Sequence, residues 1–199
     1  MLKTLLKQVK EFKKSSIATP CYMLVEVLME TVVPLLMASI IDDGVNVPGG
    51  NIRHICIVGL WMVLAAAVGL VAGILGGKYG AYASAGLARN LRKSMFANIQ
   101  TFSFSNIDKY STAGLVTRLT TDVTNVQNAY MMVLRMGTRA TASLICAMAA
   151  AFLVNARVAT VYLIAVIFLG GILALIISLA MKYFNEVFRK YDDLNASVQ

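Results

Sequence analysis

The sequence has few charged residues for its length. Of its 199 residues, 14% are Asp, Glu, Lys or Arg, whereas a soluble globular domain carries about 25%. Three prolines and 14 glycines are also too few for a proline-rich or low-complexity chain. The composition therefore excludes a proline-rich or low-complexity chain and argues against a water-soluble fold.

Cysteine and histidine are scarce as well. The three cysteines, Cys21, Cys56 and Cys146, are an odd number and lie inside apolar stretches, which excludes a disulfide scaffold. His54 is the single histidine, and no Cys or His stands near it at ligand spacing. We therefore predict no metal site.

Apolar residues make up 58% of the chain and collect in four stretches. A transmembrane helix needs about 20 mostly apolar residues, because hydrocarbon offers no partner for backbone polar groups. Residues 55–77 and 158–181 contain no charge, and each is long enough to span alone. Residues 17–41 contain two glutamates and residues 135–155 contain two arginines. We predict spans there too, because four crossings place every long polar segment on one side.

The basic residues orient these spans. With four crossings, only the short turns 42–53 and 155–157 fall on one side of the membrane. The other side holds 16 of the 18 Lys and Arg residues, so the positive-inside rule places both termini in the cytoplasm of a cell-membrane protein. The net charge of +8 is then explained by topology, which predicts membrane lipid and no nucleic acid as a partner. Residues 1–16 are predicted to be a cytoplasmic amphipathic segment.

Residues 78–134 resemble a loop in composition, but their apolar residues recur at helical spacing. The two series are Tyr79, Ala83, Leu87, Leu91, Met95, Ile99 and Phe102, and then Leu115, Leu119, Val123, Val126, Tyr130 and Leu134. We predict that the second span continues to about Phe104 and that the third begins near Gly114. The first of these cytoplasmic extensions is roughly 40 Å long, and residues 182–199 form another cytoplasmic helix.

A polar segment lies between the two extensions. It consists of Ser105, Asn106, Ile107, Asp108, Lys109, Tyr110, Ser111 and Thr112, and ends at Ala113 and Gly114. Ser105 with Asp108 three residues later is typical of a helix start, and Gly114 suits a break. The pattern predicts one short helix across the tip of a helical hairpin, and an ordinary turn between two helices is the alternative.

Several segments, in order, resemble the transmembrane domain of ATP-binding-cassette (ABC) exporters, in particular the bacterial multidrug branch. Together they cover nearly the whole chain. They are Pro34-Leu35-Leu36-Met37 with Ile40-Ile41-Asp42-Asp43-Gly44-Val45; Phe102-Ser103-Phe104-Ser105-Asn106-Ile107-Asp108-Lys109-Tyr110-Ser111-Thr112; Leu115-Val116-Thr117-Arg118-Leu119-Thr120-Thr121-Asp122-Val123; and Asp193-Leu194-Asn195 with Val198-Gln199.

The resemblance implies an all-α membrane fold, part of a type-1 ABC exporter domain. The short helix at the tip would be the first coupling helix, which docks on a nucleotide-binding domain and carries ATP-driven motion to the membrane helices. Ser105 to Thr112 would take that role here. The family also implies an inward-open to outward-open cycle, a homodimer or heterodimer of such domains and a small amphipathic substrate. ATP and Mg²⁺ would bind the nucleotide-binding domain, with no cofactor in this chain.

The chain also departs from the family pattern. The second coupling helix, the last two membrane helices and the ATP-binding domain have no counterpart in its 199 residues. The nearest string to a phosphate-binding loop, Gly76-Gly77-Lys78-Tyr79, has Ala72 where a glycine is needed and no Ser or Thr after the lysine. We therefore predict no ATP hydrolysis by the chain itself. We expect it to be a fragment of a longer polypeptide, because its tail ends inside a predicted helix.

Two acidic residues lie within the first predicted span. Glu26 and Glu30 are four residues apart and share a helix face, and ionisable groups at that depth are costly. One interpretation is that they line the translocation pathway and attract cationic amphipathic substrates. The other is structural: they are buried, and either protonated or paired with a basic residue such as Arg139.

A row of small residues marks the second span. Gly69, Gly73 and Gly77 are four residues apart, and Ala65 and Ala81 extend the row. Such a row lets a neighbouring helix approach closely. We favour this packing role over a hinge.

Three functions therefore remain. The leading hypothesis is a transmembrane part of an ATP-driven ABC exporter. The first rival is a stand-alone four-helix carrier that uses Glu26 and Glu30 for proton coupling. The second is a non-transporting membrane scaffold.

Overall fold

The computed structural model describes residues 2–47, 50–102 and 112–198. Within these ranges the chain forms helices and turns, without a strand. A 3₁₀ turn at Lys10–Phe12 precedes α2, and wider π-turns lie at Ile40–Val45, Arg118–Asp122 and Val133–Gly137. The α-helices are α1 (Leu2–Lys7), α2 (Lys13–Ser39), α3 (Ile52–Ile99), α4 (Thr112–Thr117), α5 (Val123–Met132), α6 (Thr138–Val154) and α7 (Ala156–Val198).

Four continuous helical segments are long and apolar enough to cross a membrane. They are Lys10–Val45, Ile52–Ile99, Thr112–Val154 and Ala156–Met181. The all-α fold with four membrane-spanning helices that the sequence predicts is thereby confirmed. The 48 residues of α3 are about 72 Å long, more than twice the hydrocarbon thickness of about 30 Å. This helix therefore extends well beyond a bilayer.

The end of α3 differs from the sequence prediction. The helix ends at Ile99, short of Phe104, because a turn follows in which Thr101 donates to the Asn98 carbonyl from both its backbone N (3.1 Å) and its Oγ1 (2.7 Å). The next helix begins at Thr112. Ser105 to Ser111, which make up most of the predicted coupling helix, lie outside the described residues.

The chain divides into two compact units, residues 1–147 and 148–199. In the first unit, α2 packs along α3. The buried face of α3 repeats every three or four residues and is made mainly of small side chains. It includes Gly69, Ala72, Gly76, Gly80, Ala83 and Leu87.

The N-terminal segment packs against the far half of α3. Val9, Phe12 and Leu87 form a buried cluster, and Val126 and Tyr130 of α5 pack on it. A methyl group on Gly86 would overlap Cγ of Phe12, so the phenyl ring rests directly on the α3 backbone. The cluster therefore ties the N-terminal segment to both α3 and α5.

The second unit contains the end of α6 and all of α7. Asn155 caps α7, because its Oδ1 accepts hydrogen bonds from the backbone N of Arg157 (3.1 Å) and of Val158 (3.3 Å). Large apolar side chains of α7, such as Phe168 and Ile177, are exposed. Within this unit, α7 is therefore a helix with an apolar outer surface.

Candidate functional site

The two glutamates of α2 share one arginine partner. Nη1 of Arg139, on α6, lies 2.9 Å from Oε1 of Glu26, and its Nη2 lies 2.5 Å from Oε1 of Glu30. One guanidinium thus bridges two carboxylates that are one helical turn apart, which its planar fork of donors permits. We call Glu26, Glu30 and Arg139 the ion-pair cluster.

The members of the ion-pair cluster differ in burial. The side chain of Glu26 is 16% exposed, against 52% for Glu30 and 47% for Arg139. Oε2 of Glu26 is buried and has no hydrogen-bond partner among the described residues. The more deeply placed carboxylate is therefore only half satisfied by the described residues. Such an unpaired buried acceptor is energetically costly.

The small residues of α3 make room for this cluster. A methyl group on Gly73 would lie 3.1 Å from Oε1 of Glu26, and one on Gly69 would lie 3.3 Å from Cβ of Met29. Gly76 is closer still to α2, since a methyl there would overlap Cε of Met23. The third glycine of the predicted row, Gly77, lies beside Arg135 instead.

A cavity of about 720 Å³ opens beside the ion-pair cluster, within the size range of small-molecule sites. Its wall is largely apolar, with acidic residues from α2 and two basic residues. The lining is Glu26, Met29, Glu30, Val33, Pro34, Ala65, Ala66, Gly69, Leu70, Gly73, Ile74, Gly77, Lys78 and Arg135.

A second cavity of about 530 Å³ lies between α2 and the residues from α5 to α6. Four methionines supply most of its wall, and flexible thioether side chains adapt to varied apolar shapes. The lining is Met23, Asn128, Met131, Met132, Arg135, Met136 and Arg139. Arg135 therefore lines both cavities.

Sequence reasoning identified part of this site. Glu26 and Glu30 lie together as their spacing predicts, with Arg139 as their partner. The sequence places Arg135 inside the third predicted span but does not assign it to the site, although a second arginine four residues before Arg139 in an apolar helix is itself a signal. No sequence signal selects the four lining methionines from the eleven in the chain. Of the predicted coupling residues, the structure describes only Thr112, the first residue of α4.

These features define a multi-pass helical membrane protein in which charged side chains line cavities between the helices. Residues 17–199 match the family model of the ABC transporter transmembrane region. The chain is also 33% identical over 177 residues to the uncharacterized ABC transporter ATP-binding protein YfiB of Bacillus subtilis (strain 168). The aligned part is 89% of this chain and 30% of that protein. The chain thus belongs to the ABC transporter transmembrane family.

Family membership fixes the general role of the chain. It is a transport-related part of an ABC transporter, and the region matched by residues 17–199 is the membrane region and not an ATPase domain. The chain spans about 30% of the length of the relative that it matches. Everything that concerns a complete transporter is therefore a proposal.

Proposed function

We propose that this chain forms one wall of the substrate pathway of an ATP-driven exporter in the cell membrane. Residues 105–112 dock on a nucleotide-binding domain, which binds ATP and Mg²⁺, and both termini lie in the cytoplasm. A second transmembrane domain completes the pathway, and the cargo is a small amphipathic molecule. The resemblance of the sequence to multidrug exporters supports export as the direction.

The observation that carries the proposal is the ion-pair cluster beside the 720 Å³ cavity. Three charged side chains within membrane-spanning segments are costly, and such groups usually face a pathway or a partner. The cavity adds an apolar wall from α3 and two basic residues, Lys78 and Arg135. This mixture of apolar surface and a few charges suits an amphipathic molecule.

Contacts between the long helices support the coupling role of residues 105–112. Arg92 of α3 donates from Nε to the Leu119 carbonyl (3.2 Å) and from Nη2 to Oγ1 of Thr124 (3.1 Å). Tyr130 of α5 also donates from its hydroxyl to Oγ of Ser16 (2.9 Å). The helices on either side of residues 105–112 are thus joined by hydrogen bonds to each other and to the N-terminal end of α2. Movement of residues 105–112 would therefore be transmitted along these helices to the ion-pair cluster.

A transport assay tests the proposal. In inside-out vesicles that contain the assembled transporter, ATP should drive accumulation of the cationic dye ethidium, while ADP should not. Ile107→Asp, in the coupling segment, should lower the ATP-driven rate about tenfold, whereas the control Val47→Asp, in the opposite turn, should not. Accumulation driven by a pH gradient without ATP would favour a proton-coupled carrier, and no accumulation under any condition would favour a scaffold.

A second assay separates the two interpretations of the acidic pair. Glu30→Gln should lower transport of ethidium but leave transport of a neutral dye, Nile red, unchanged, because only the cation uses the carboxylate charge. Equal loss for both dyes would assign the pair to structure alone.

A further inference from the structure

The role of Arg135 is not explained by the ion-pair cluster. Its side chain lies along α3: a methyl on Gly80 would be 3.4 Å from its Cγ and Cδ, and one on Gly77 would be 3.8 Å from its Cζ and Nη2. Among the described residues, its guanidinium makes neither a hydrogen bond nor an ion pair. In the described part of the chain, a side chain with five N–H donors therefore lies between two cavities without an acceptor.

An acceptor that has no donor among the described residues lies about one helical turn away. Oε2 of Glu26 has no partner in the described part of the chain, and this carboxylate lies against Gly73. The guanidinium of Arg135 lies against Gly77. Gly73 and Gly77 are separated by four residues of α3, about 6 Å along the axis. The unpaired donor and the unpaired acceptor are thus offset by one turn.

The backbone between the two arginines has an irregular register. Arg135 lies inside the π-turn Val133–Gly137, and Arg139 follows it in α6. A π-turn holds one residue more per hydrogen-bonded turn than an α-helix and often marks a functional position. Conversion of this turn to α-helix would change the register of α6 relative to α5 without unfolding either helix.

We propose that Glu26 has two alternative partners, Arg139 in this structure and Arg135 in a second conformation of the transport cycle. The order of contacts along α3 shows that α6 runs in the same direction as α2. A slide of residues 132–147 by up to one turn toward the C-terminal end of α2 carries Arg135 to Glu26 and keeps Arg139 within reach of Glu30. Ion pairs exchanged by one-turn steps give two discrete positions. Arg135 is then a positioning residue that sets the second stop.

This inference rests on the proposed ATP-driven cycle, and cysteine cross-linking tests it in the assembled transporter. Met23, Met132 and Met136 line one cavity, and the slide would bring Met132 to the place that Met136 occupies. In a background with all native cysteines of the transporter replaced by alanine, a short bifunctional thiol reagent should join Met23→Cys to Met136→Cys faster without nucleotide. With a non-hydrolysable ATP analogue, it should join Met23→Cys to Met132→Cys faster, with the ratio of the two rates shifted about threefold or more.

Arg135 variants decide what causes the shift. Arg135→Gln should abolish the nucleotide-dependent change of ratio, and Arg135→Lys, which keeps the charge, should restore part of it. ATP-dependent ethidium accumulation, measured on the cysteine variants, tests the proposed function separately. If the preparation transports ethidium but the ratio of the two cross-linking rates does not change with nucleotide, the two-partner proposal is wrong and the exporter assignment stays intact.

A double-mutant cycle gives an independent check. If Glu26 and Arg135 act together in one step, Glu26→Gln, Arg135→Gln and the double variant should slow ethidium transport by similar factors. Arg135→Gln should leave the Tm of the nucleotide-free transporter unchanged, since the pair is absent from that state, while Arg139→Gln should lower it. Multiplicative losses of transport rate in the double variant, the pattern of independent residues, would contradict the proposal.

Discussion

Helices α3 and α7 have nearly the same sequence character but different surroundings. Each contains an uncharged stretch longer than 20 residues, 55–77 in α3 and 158–181 in α7. Yet the uncharged stretch of α3 has buried residues, among them Gly69, Ala72 and Gly76, whereas large apolar side chains of α7, such as Phe168, are exposed within their own unit. Methyl groups would meet neighbouring atoms at Gly69, Gly73 and Gly76, whereas those on Gly170 or Gly171 of α7 would meet none within 4 Å in the described part of their own unit.

The difference between α3 and α7 shows that the ability to cross a bilayer and the ability to pack against another helix are separate properties, which hydropathy alone does not distinguish. Apolar length determines whether a helix can cross a bilayer, because lipid tails solvate apolar side chains as well as protein does. Packing between helices depends on where small residues lie relative to the neighbouring helix. The spaced glycines of α3 face α2, whereas the adjacent pair in α7 does not form such a face within its unit.

The largest effect that the comparison predicts is at Gly86. Gly86→Ala would place a methyl group in overlap with Cγ, Cδ1 and Cδ2 of the Phe12 ring, and the cost of such overpacking is about 2–3 kcal/mol. We expect the Tm in detergent to fall by on the order of 5 °C. In Gly86→Ala combined with Phe12→Ala the overlap is removed, so the added alanine at position 86 should then cost little; an equal cost in both backgrounds would contradict the contact.

Next in size is the loss of the bridging arginine. Arg139→Gln leaves both carboxylates without their cation. We expect the free energy of unfolding to fall by about 2 kcal/mol, which is less than the loss for a fully buried ion pair, because this one is half exposed. Glu30→Gln is the matched control and should cost at most about 0.5 kcal/mol, because Glu30 is 52% exposed. Chemical unfolding monitored by circular dichroism measures both, and equal effects would show that burial does not set the order.

Gly73→Ala should have a smaller effect. Its methyl group would lie 3.1 Å from Oε1 of Glu26, so the carboxylate must move by a few tenths of an ångström, at a cost of about 1 kcal/mol. Glu26→Ala removes the atom in question, so the two substitutions should be non-additive. Additive free energies of unfolding would place the glutamate elsewhere.

The smallest effect is expected in α7. The methyl group of Gly170→Ala would meet no atom in the described part of its own unit, so the substitution should stabilise the helix by up to about 1 kcal/mol through its higher helix propensity. The Tm of the chain should stay the same or rise slightly. A fall in Tm that appears only in the assembled transporter would show that another helix packs on Gly170, and would turn the contrast between α3 and α7 into a map of that interface.

Sequence predicted the helices of this fold better than their contacts. Apolar length and charge placement identified the four spans, and Asn155 stands at the predicted turn that it caps. The spacing of Glu26 and Glu30 indicated a shared face, and Arg139 was a candidate partner because a charge in a span needs one. Long-range contacts carry no such local signal: nothing near Phe12 indicates that its ring rests on Gly86, and the two cavities depend on how three helices meet.

Cross-linking of the coupling segment, residues 105–112, tests the proposed contact with the nucleotide-binding domain most directly. A photoreactive amino acid at position 107 of the assembled transporter should cross-link to the nucleotide-binding domain on illumination, with a yield that changes when ATP is bound. The same group at position 47, in the turn between α2 and α3, should yield no such product. Cross-linking of position 107 to lipid alone, or of position 47 to the nucleotide-binding domain, would contradict the proposed coupling and topology.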